Sequence, residues 1–362
     1  MLFRSMSKKN NTKEIMKFAG TYISVCIGSG FATGQEIMQF FSAHGIGKSV
    51  FSVLVCMIIL SYCGAKLLEI GKSANLRSSN DIFNYLWGES IGGIFKLFMP
   101  VFFLCSFVVM VSGAGASINQ YYGLSKGIGS IIMITLSLIS VLLGMNKVVD
   151  ILGNIGPIII AVSLGIGIIT ISRNYDNLLN AENIITTLNV TKAVDNWHLT
   201  GIIYSGLNVI IVTTFLVGVG ETSSNKKNCI WGGIIGGVAF MAACLVLNLG
   251  ILSDIGNICM NEIPTLYMAD KIGPIVGILF SFILIAGIYT TSVPLLWSVC
   301  NGFAKEGTWK FNLIATMCSI VALVGGRIPF SALVNFIYPI SGALGVIIII
   351  GIFMKSISVE KY

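Results

Sequence analysis

Three glycines and one carboxylate stand close together in the first apolar stretch of the chain, which reads Gly28-Ser29-Gly30-Phe31-Ala32-Thr33-Gly34-Gln35-Glu36. Each glycine weakens a helix by about 1 kcal/mol relative to alanine, so we predict that the helix unwinds here. Unwound backbone exposes carbonyl groups that can bind a cation and amide groups that can bind a carboxylate. Close helix packing through Gly30 and Gly34 is the alternative interpretation. The polar residues Thr33 and Glu36 beside these glycines favour a binding site.

Glu36 is the residue of this segment whose chemistry is most specific. A carboxylate within a long apolar span is costly and usually faces a cavity or a partner. Glu36 could accept a proton, pair with an amine of a substrate, or hold the geometry of the half-helix. A position near the outer end of the span, where water reaches the side chain, is the alternative.

A second polar interruption lies in a later apolar stretch, around Gly206, and we predict a second broken helix there. Interrupted helices at matching positions of two halves of a chain are typical of the substrate site of a transporter. The predicted substrate-binding residues are Gly28, Ser29, Gly30, Phe31, Thr33, Glu36, Tyr204, Ser205, Gly206 and Asn208.

Three consecutive hydroxyl side chains, Thr290, Thr291 and Ser292, occupy the middle of another apolar stretch. Hydroxyl and carbonyl oxygens are hard ligands that suit a small cation. The alternative is that these hydroxyls bond to carbonyls of their own helix, near the helix-disturbing Pro294.

The elements that carry these residues are predicted to be membrane helices. Hydrophobic residues make up 55% of the 362 residues and charged residues 10%, against about 25% charged in a typical soluble domain. A helix needs about 20 apolar residues to cross a bilayer, so we expect an all-α protein whose surroundings are the lipid bilayer. We predict ten spans, near 16–42, 49–71, 94–121, 125–145, 148–172, 200–221, 229–252, 273–302, 311–327 and 329–354.

Two halves of five spans each, about 16–172 and 200–354, form one domain that covers residues 1–362. Because five is odd, the second half is predicted to be inverted relative to the first. Most of the 22 lysine and arginine residues fall in loops on the side of both termini, which predicts cytoplasmic termini. The N-terminal span is expected to remain uncleaved, and an amphipathic segment within 253–272 is predicted to lie over the outer face.

Several function classes are disfavoured by the sequence. The net charge of +7 arises mostly from short loops, so we expect no nucleic-acid partner. The nine cysteines form neither a CxxC pair nor a Cys/His cluster, so we expect no disulfide framework, no bound metal cofactor and no other cofactor. No HExxH motif or convincing Ser/His pair is present, so we do not expect an enzyme. The sequence carries no signal for an oligomeric state.

The segment 28–36, with the Ile-Met-Gln-Phe-Phe that follows it, resembles the first-helix motif of the bacterial YkvI-like membrane proteins. That group is similar in pattern to the amino acid–polyamine–organocation superfamily with the LeuT fold. The resemblance implies a five-plus-five inverted repeat, with spans 1 and 6 broken around the substrate. It also implies a sodium site formed by the carbonyls of Ser24 and Ile27 and by two hydroxyls of Thr290, Thr291 and Ser292.

Two departures from the family pattern bear on the coupling ion. Phe31 occupies the position of an asparagine that often helps to form a second sodium site, which puts a second sodium ion in doubt. Some proton-coupled relatives carry a lysine in span 5, whereas residues 150–172 contain none. This difference favours sodium, although Glu36 keeps proton coupling open.

The predicted function is therefore sodium-coupled symport of an amino acid or related small amine across the bacterial inner membrane by alternating access. Spans 1, 2, 6 and 7 would rock against spans 3, 4, 8 and 9. The alternatives are a proton-coupled transporter of the same class and a membrane sensor that binds a ligand without moving it.

Overall fold

The structure is a computed structural model that describes residues 2–74, 76–144 and 155–359. Within these ranges it contains helices, turns and loops, and no strand. The helices are α1 (Leu2–Cys26), α2 (Ser29–Thr33), α3 (Gln35–Phe40), α4 (Ile46–Ser73), α5 (Ile82–Tyr122), α6 (Lys126–Leu143), α7 (Ile155–Arg173), α8 (Tyr175–Leu179), α9 (Ala181–Thr187), α10 (Trp197–Glu221), α11 (Lys226–Ser253), α12 (Ile255–Ile258), α13 (Pro264–Ile272), α14 (Pro274–Asn301), α15 (Trp309–Gly325) and α16 (Phe330–Val359).

Seven helices of the described chain are long and apolar enough to cross a membrane: α4, α5, α6, α10, α11, α14 and α16. Shorter apolar helices lie in α7 and α15. The protein is thus a helical, multi-pass membrane protein, as its composition predicts. The full count of ten spans and the inverted repeat stay predictions, and the start of the fifth predicted span lies outside the described residues.

The first predicted span is broken, as expected from its three glycines. α1 ends at Cys26, Gly28 is extended, and α2 begins at Ser29. Gly34 then adopts a left-handed conformation (φ 75°) between α2 and α3, which an L side chain rarely adopts. A Cβ at Gly34 would also lie 2.9 Å from Cγ2 of Thr265. Both the backbone conformation and the lack of space therefore require glycine at this position.

Carbonyl groups freed by the break are bonded within the protein, which explains how the break survives in an apolar environment. The hydroxyl of Thr33 donates to the carbonyl of Gly30 at 3.0 Å. The hydroxyl of Thr265, on α13, donates to the carbonyl of Ala32 at 2.6 Å. The predicted short helix within 253–272 is therefore present, and it stabilises the broken segment.

The second predicted break is wrong, because α10 is continuous from Trp197 to Glu221. Its polar side chains bond to the carbonyls of their own helix: Ser205 donates to Gly201 at 2.6 Å, and Asn208 donates to Tyr204 at 2.9 Å. Gly206 serves close packing instead. A Cβ there would overlap the carbonyl oxygen of Gly342 on α16.

The long helices form two packed groups. One group contains α1, α4, α10 and α11, and the other contains α5, α6, α14 and α15. This grouping matches the one expected for spans 1, 2, 6 and 7 against spans 3, 4, 8 and 9. Between the groups lie the short α2, which contacts α5 and α14, and α16, which packs on both α10 and α5.

Candidate functional site

A cavity of about 60 Å³ lies where the break in the first span faces the second group of helices. Its wall is mainly apolar, and its polar side chains are those of Glu36, Ser106, Asn208, Thr291 and Tyr338. The lining residues are Val25, Cys26, Gly28, Glu36, Phe102, Phe103, Ser106, Met110, Leu207, Asn208, Ile211, Thr291, Leu295 and Tyr338. The cavity is smaller than the roughly 300–1,000 Å³ of typical ligand sites, so a substrate must enlarge it.

Glu36 places a carboxylate in the wall of this cavity, with 7% of the residue exposed. The residue lies in the first turn of α3, and its side chain reaches back across the break to Gly30. Gly30 lacks a side chain at the place where one would overlap Oε2 of Glu36. The glycine therefore provides room for the carboxylate as well as freedom for the backbone.

Tyr204 holds the other carboxylate oxygen. Its hydroxyl donates a hydrogen bond to Oε1 of Glu36 at 2.8 Å, which links the broken first span to α10. The tyrosine is fully buried, and its ring centroid lies 5.2 Å from that of Phe40 and 4.8 Å from that of Phe41. An aromatic layer thus covers the carboxylate on the side of α3.

No cationic side chain balances Glu36 within the described part of the chain. The ion pairs found there join Lys66 to Glu69, Lys96 to Asp81, and Lys126 to Glu262. No lysine, arginine or histidine is among the described residues that line the cavity. If Glu36 is ionised, its charge must be balanced by something that enters the cavity, and a proton, a metal cation or a cationic substrate would each do so.

Several predicted substrate residues lie elsewhere. Phe31 is buried against Phe240, with ring centroids 5.7 Å apart. Thr33 and Ser205 bond to backbone carbonyls and do not line the cavity. Gly206 faces α16, and the side chain of Ser29 lies outside the described residues. The structure thus brings Gly28, Glu36 and Asn208 to the cavity, with Tyr204 behind Glu36 and Gly30 beside it.

The residues of the predicted sodium site are partly brought together. Thr291 lines the cavity together with Val25, Cys26 and Gly28 at the end of α1. Thr290 and Thr291 donate to the carbonyl of Gly287, at 2.8 and 3.1 Å. A hydroxyl that donates its hydrogen in this way keeps lone pairs that can face a cation.

Ser24, Ile27 and Ser292, the other members of that site, are not among the residues that line the cavity. Ser292 is buried and donates to Ile288 at 2.8 Å, and Ser24 donates through its hydroxyl to Gly20 at 2.9 Å. The amide of Ile27 still donates to Ile23, so the helical turn extends just past Cys26. The sodium site therefore stays a prediction.

Sequence reasoning missed the lining from α5 and α16. Phe102, Phe103, Ser106 and Met110 come from one face of α5, and Tyr338 comes from α16. These residues lie in ordinary apolar spans, where an inward-facing side chain looks the same as one that faces lipid. Ser106 and Tyr338, the latter next to a proline, were the polar signals that could have marked them.

Two further cavities lie nearer the face at which α1 begins and α16 ends, here called the terminal face. A larger cavity of about 350 Å³ adjoins the first through Phe103 and is lined by Lys96, Thr214 and Asn301 near that face. A third, of about 410 Å³, continues from Thr214 to Lys17. On the opposite side, the ring of Tyr204 packs against those of Phe40 and Phe41.

Comparison of the sequence with known proteins finds relatives along nearly the whole chain. No protein-family model matches it. The membrane protein YkvI of Bacillus subtilis (strain 168) is 27% identical over 326 residues, which cover 90% of this chain and 91% of the relative. The protein YyaD of the same organism is 23% identical over 341 residues, or 92% and 95% of the two chains. The chain is a homologue of YkvI-like membrane proteins.

Several solved structures have a similar fold. MhsT in complex with L-phenylalanine aligns with a TM-score of 0.64 at 14% identity, over 92% of this chain and 87% of its own. A single-residue mutant of the Eremococcus coleocola manganese transporter gives a TM-score of 0.55 at 13% identity, over 92% and 76%. The inward-facing conformation of Mhp1 gives 0.52 at 11% identity, over 91% and 73%. At these identities the similarity establishes the fold alone, which is the LeuT fold.

Proposed function

We propose that this protein is a secondary transporter that carries an amino acid or a related small amine across the bacterial inner membrane, coupled to sodium. The observation that carries the proposal is the break at residues 27–34, which opens onto a cavity between two separately packed groups of helices. The fold, shared with secondary transporters, supports the same interpretation.

In the proposed mechanism the two helix groups rock about the cavity. The groups are joined near the site by the short α2 and by α16, so a rearrangement there requires little repacking of either group. Because further cavities lie between Glu36 and the terminal face and aromatic rings pack on the other side, we assign the structure to the inward-facing state, with both termini cytoplasmic. Sodium between the end of α1 and Thr291 would favour the outward-facing state.

Proton coupling is the second candidate, and Glu36 is the observation that favours it. The carboxylate is buried, faces the cavity and has no cationic partner among the described residues. Protonation would remove the need for a metal cation in the site. A sensor that binds without transport is the third candidate, and only a measurement of uptake separates it from the other two.

Uptake by proteoliposomes tests the proposal. The purified protein would first be screened by thermal shift against amino acids and amines, with and without sodium, to choose a ligand. Radiolabelled ligand should then accumulate when a sodium gradient is imposed and not when a proton gradient alone is imposed. Accumulation with the proton gradient alone would show that transport is coupled to protons. Binding without uptake under any gradient would show that the protein is not a transporter.

A further inference from the structure

We propose that the substrate is a cationic amine without a carboxylate group, and that Glu36 supplies the negative charge that binds it. The inference rests on the proposed function, because it concerns the substrate of the same site. It narrows the substrate class from amino acids and amines to amines alone. Three observations carry it: the charge of the cavity, the place of the Glu36 carboxylate, and the use of the hydrogen-bond donors around it.

The cavity is complementary to a cation. Glu36 is the acidic residue among its described lining residues, and no basic residue accompanies it there. The rest of the wall is mainly apolar, with Phe102, Phe103 and Met110 on one side and Leu207 on another. One negative charge within an apolar wall matches a ligand with one ammonium group and an apolar body.

The Glu36 carboxylate stands where a substrate carboxylate would need to bind. Its Oε2 lies directly over Gly30, beside the unwound segment that offers the free backbone groups. A second carboxylate at this place would meet a like charge at short range in a site of low dielectric. The protein's own carboxylate and an amino acid's carboxylate therefore exclude each other.

Several hydrogen-bond donors near Glu36 are already engaged. Tyr204 donates to Glu36, Asn208 donates to the carbonyl of Tyr204, and Thr291 donates to the carbonyl of Gly287. The amide of Gly28 donates to the carbonyl of Cys26. The hydrogens used in these bonds are unavailable to a substrate carboxylate, whereas the carboxylate oxygens of Glu36 can accept from an ammonium group, which has three donors and no acceptor.

Pairs of ligands that differ by one carboxylate test the inference in the wild-type protein. The pairs are ethylamine and L-alanine, 3-methylbutylamine and L-leucine, and phenethylamine and L-phenylalanine. Binding is measured by calorimetry on the full-length protein in detergent, in sodium chloride and in potassium chloride. We expect at least one amine to bind tenfold or more tightly than its amino acid in both salts. Tighter binding of an amino acid in any pair, or no binding by any of the amines, would overturn the inference.

Variants at position 36 test whether the carboxylate of Glu36 binds the amine. Glu36→Gln keeps the size of the side chain and should weaken amine binding at least tenfold, whereas Glu36→Asp should weaken it less. Glu221→Gln, at the exposed end of α10, is the matched control and should bind as the wild type does. Unchanged amine binding by Glu36→Gln would overturn the inference. If that variant does not fold, the comparison of ligand pairs in the wild type still decides.

Uptake separates this inference from the proposed function. If proteoliposomes accumulate an amino acid and not its amine, the protein is a transporter and the inference is wrong. If the amines bind with the expected preference and no ligand is accumulated under any gradient, the inference stands and transport is rejected.

Discussion

At the residue scale, the hydrogen bond between Tyr204 and Glu36 organises the site. It joins a carboxylate on the broken first span to a fully buried tyrosine on α10, across two elements that are far apart in sequence. If a buried carboxylate loses its hydrogen-bond donor, the free-energy cost of removing it from water is no longer offset by the bond, and the folded state is destabilised. The bond therefore stabilises both the position of Glu36 and the contact between the two helices.

Replacing the tyrosine tests this bond. Tyr204→Phe keeps the ring between Phe40 and Phe41 and removes the hydroxyl, so we expect a loss of about 1–3 kcal/mol of stability and weaker ligand binding. Thermal unfolding in detergent and ligand calorimetry would measure the two effects. Tyr175→Phe, at an exposed position, is the control. Equal stability of the two variants would show that the bond is unimportant.

Gly30 tests the space around the carboxylate. In Gly30→Ala the added methyl group would overlap the carboxylate of Glu36, so the side chain must move and ligand affinity should fall at least tenfold. Gly20→Ala is the matched control, because a Cβ at Gly20 in α1 meets no atom within 4 Å. Gly20→Ala should bind as the wild type and be slightly more stable, since alanine favours helix. Similar affinities for the two variants would contradict the geometry described for Glu36.

At the element scale, glycines play two different roles that sequence alone did not separate. Three glycines within seven residues predicted the break in the first span, and the break is present because Gly34 takes a left-handed conformation. The single Gly206 predicted a second break that does not exist. What distinguishes Gly206 is its partner, the backbone of α16 at Gly342 and Gly345, and the identity of that partner cannot be read from a local segment.

The contact of α10 with α16 gives an element-scale prediction. A methyl group in Gly206→Ala would overlap the backbone of Gly342, so the helices must separate, and we expect a loss of about 1–3 kcal/mol of stability. Gly165→Ala in α7 meets no atom within 4 Å and should not be destabilised. Thermal unfolding of the two variants under the same detergent conditions provides the comparison. A Gly206→Ala protein as stable as Gly165→Ala would argue against close packing.

Most of the residues that line the cavity likewise cannot be identified from a local segment of the sequence. Glu36 and Asn208 could be predicted because a charged or polar side chain in an apolar span is conspicuous. Phe103 and Met110 could not, since the composition of α5 does not show which face turns inward. Composition and charge pattern thus predicted a membrane protein and the polar residues Glu36 and Asn208 of the site. The apolar residues of the cavity wall could be identified only from the packed structure.

At the scale of the whole molecule, the direction from which a substrate enters depends on which side of the cavity is open. Phe103 lines both the cavity at Glu36 and a larger cavity nearer the terminal face, while the rings of Tyr204, Phe40 and Phe41 pack together on the other side. The distribution of lysine and arginine predicts that the terminal face is cytoplasmic. Together these features predict access from the cytoplasm in the described conformation.

Cysteine labelling checks this orientation. Asn301→Cys would place a thiol in the cavity near the terminal face, and a membrane-impermeant maleimide should label it only after the cells are permeabilised. The native Cys259, a partly exposed residue in the connection between α12 and α13, is the internal reference for the opposite face and should be labelled in intact cells. Labelling of the introduced cysteine in intact cells would reverse the predicted topology.

The central claim is that a substrate binds between the break in the first span, Glu36 and the inward face of α5. An experimental structure of the protein with its highest-affinity ligand tests this claim most directly. We predict that α1 and α2 are separate, and that the ligand lies within hydrogen-bond distance of the Glu36 carboxylate and in contact with Phe103. A continuous first helix, or a ligand bound away from Glu36, would contradict the account.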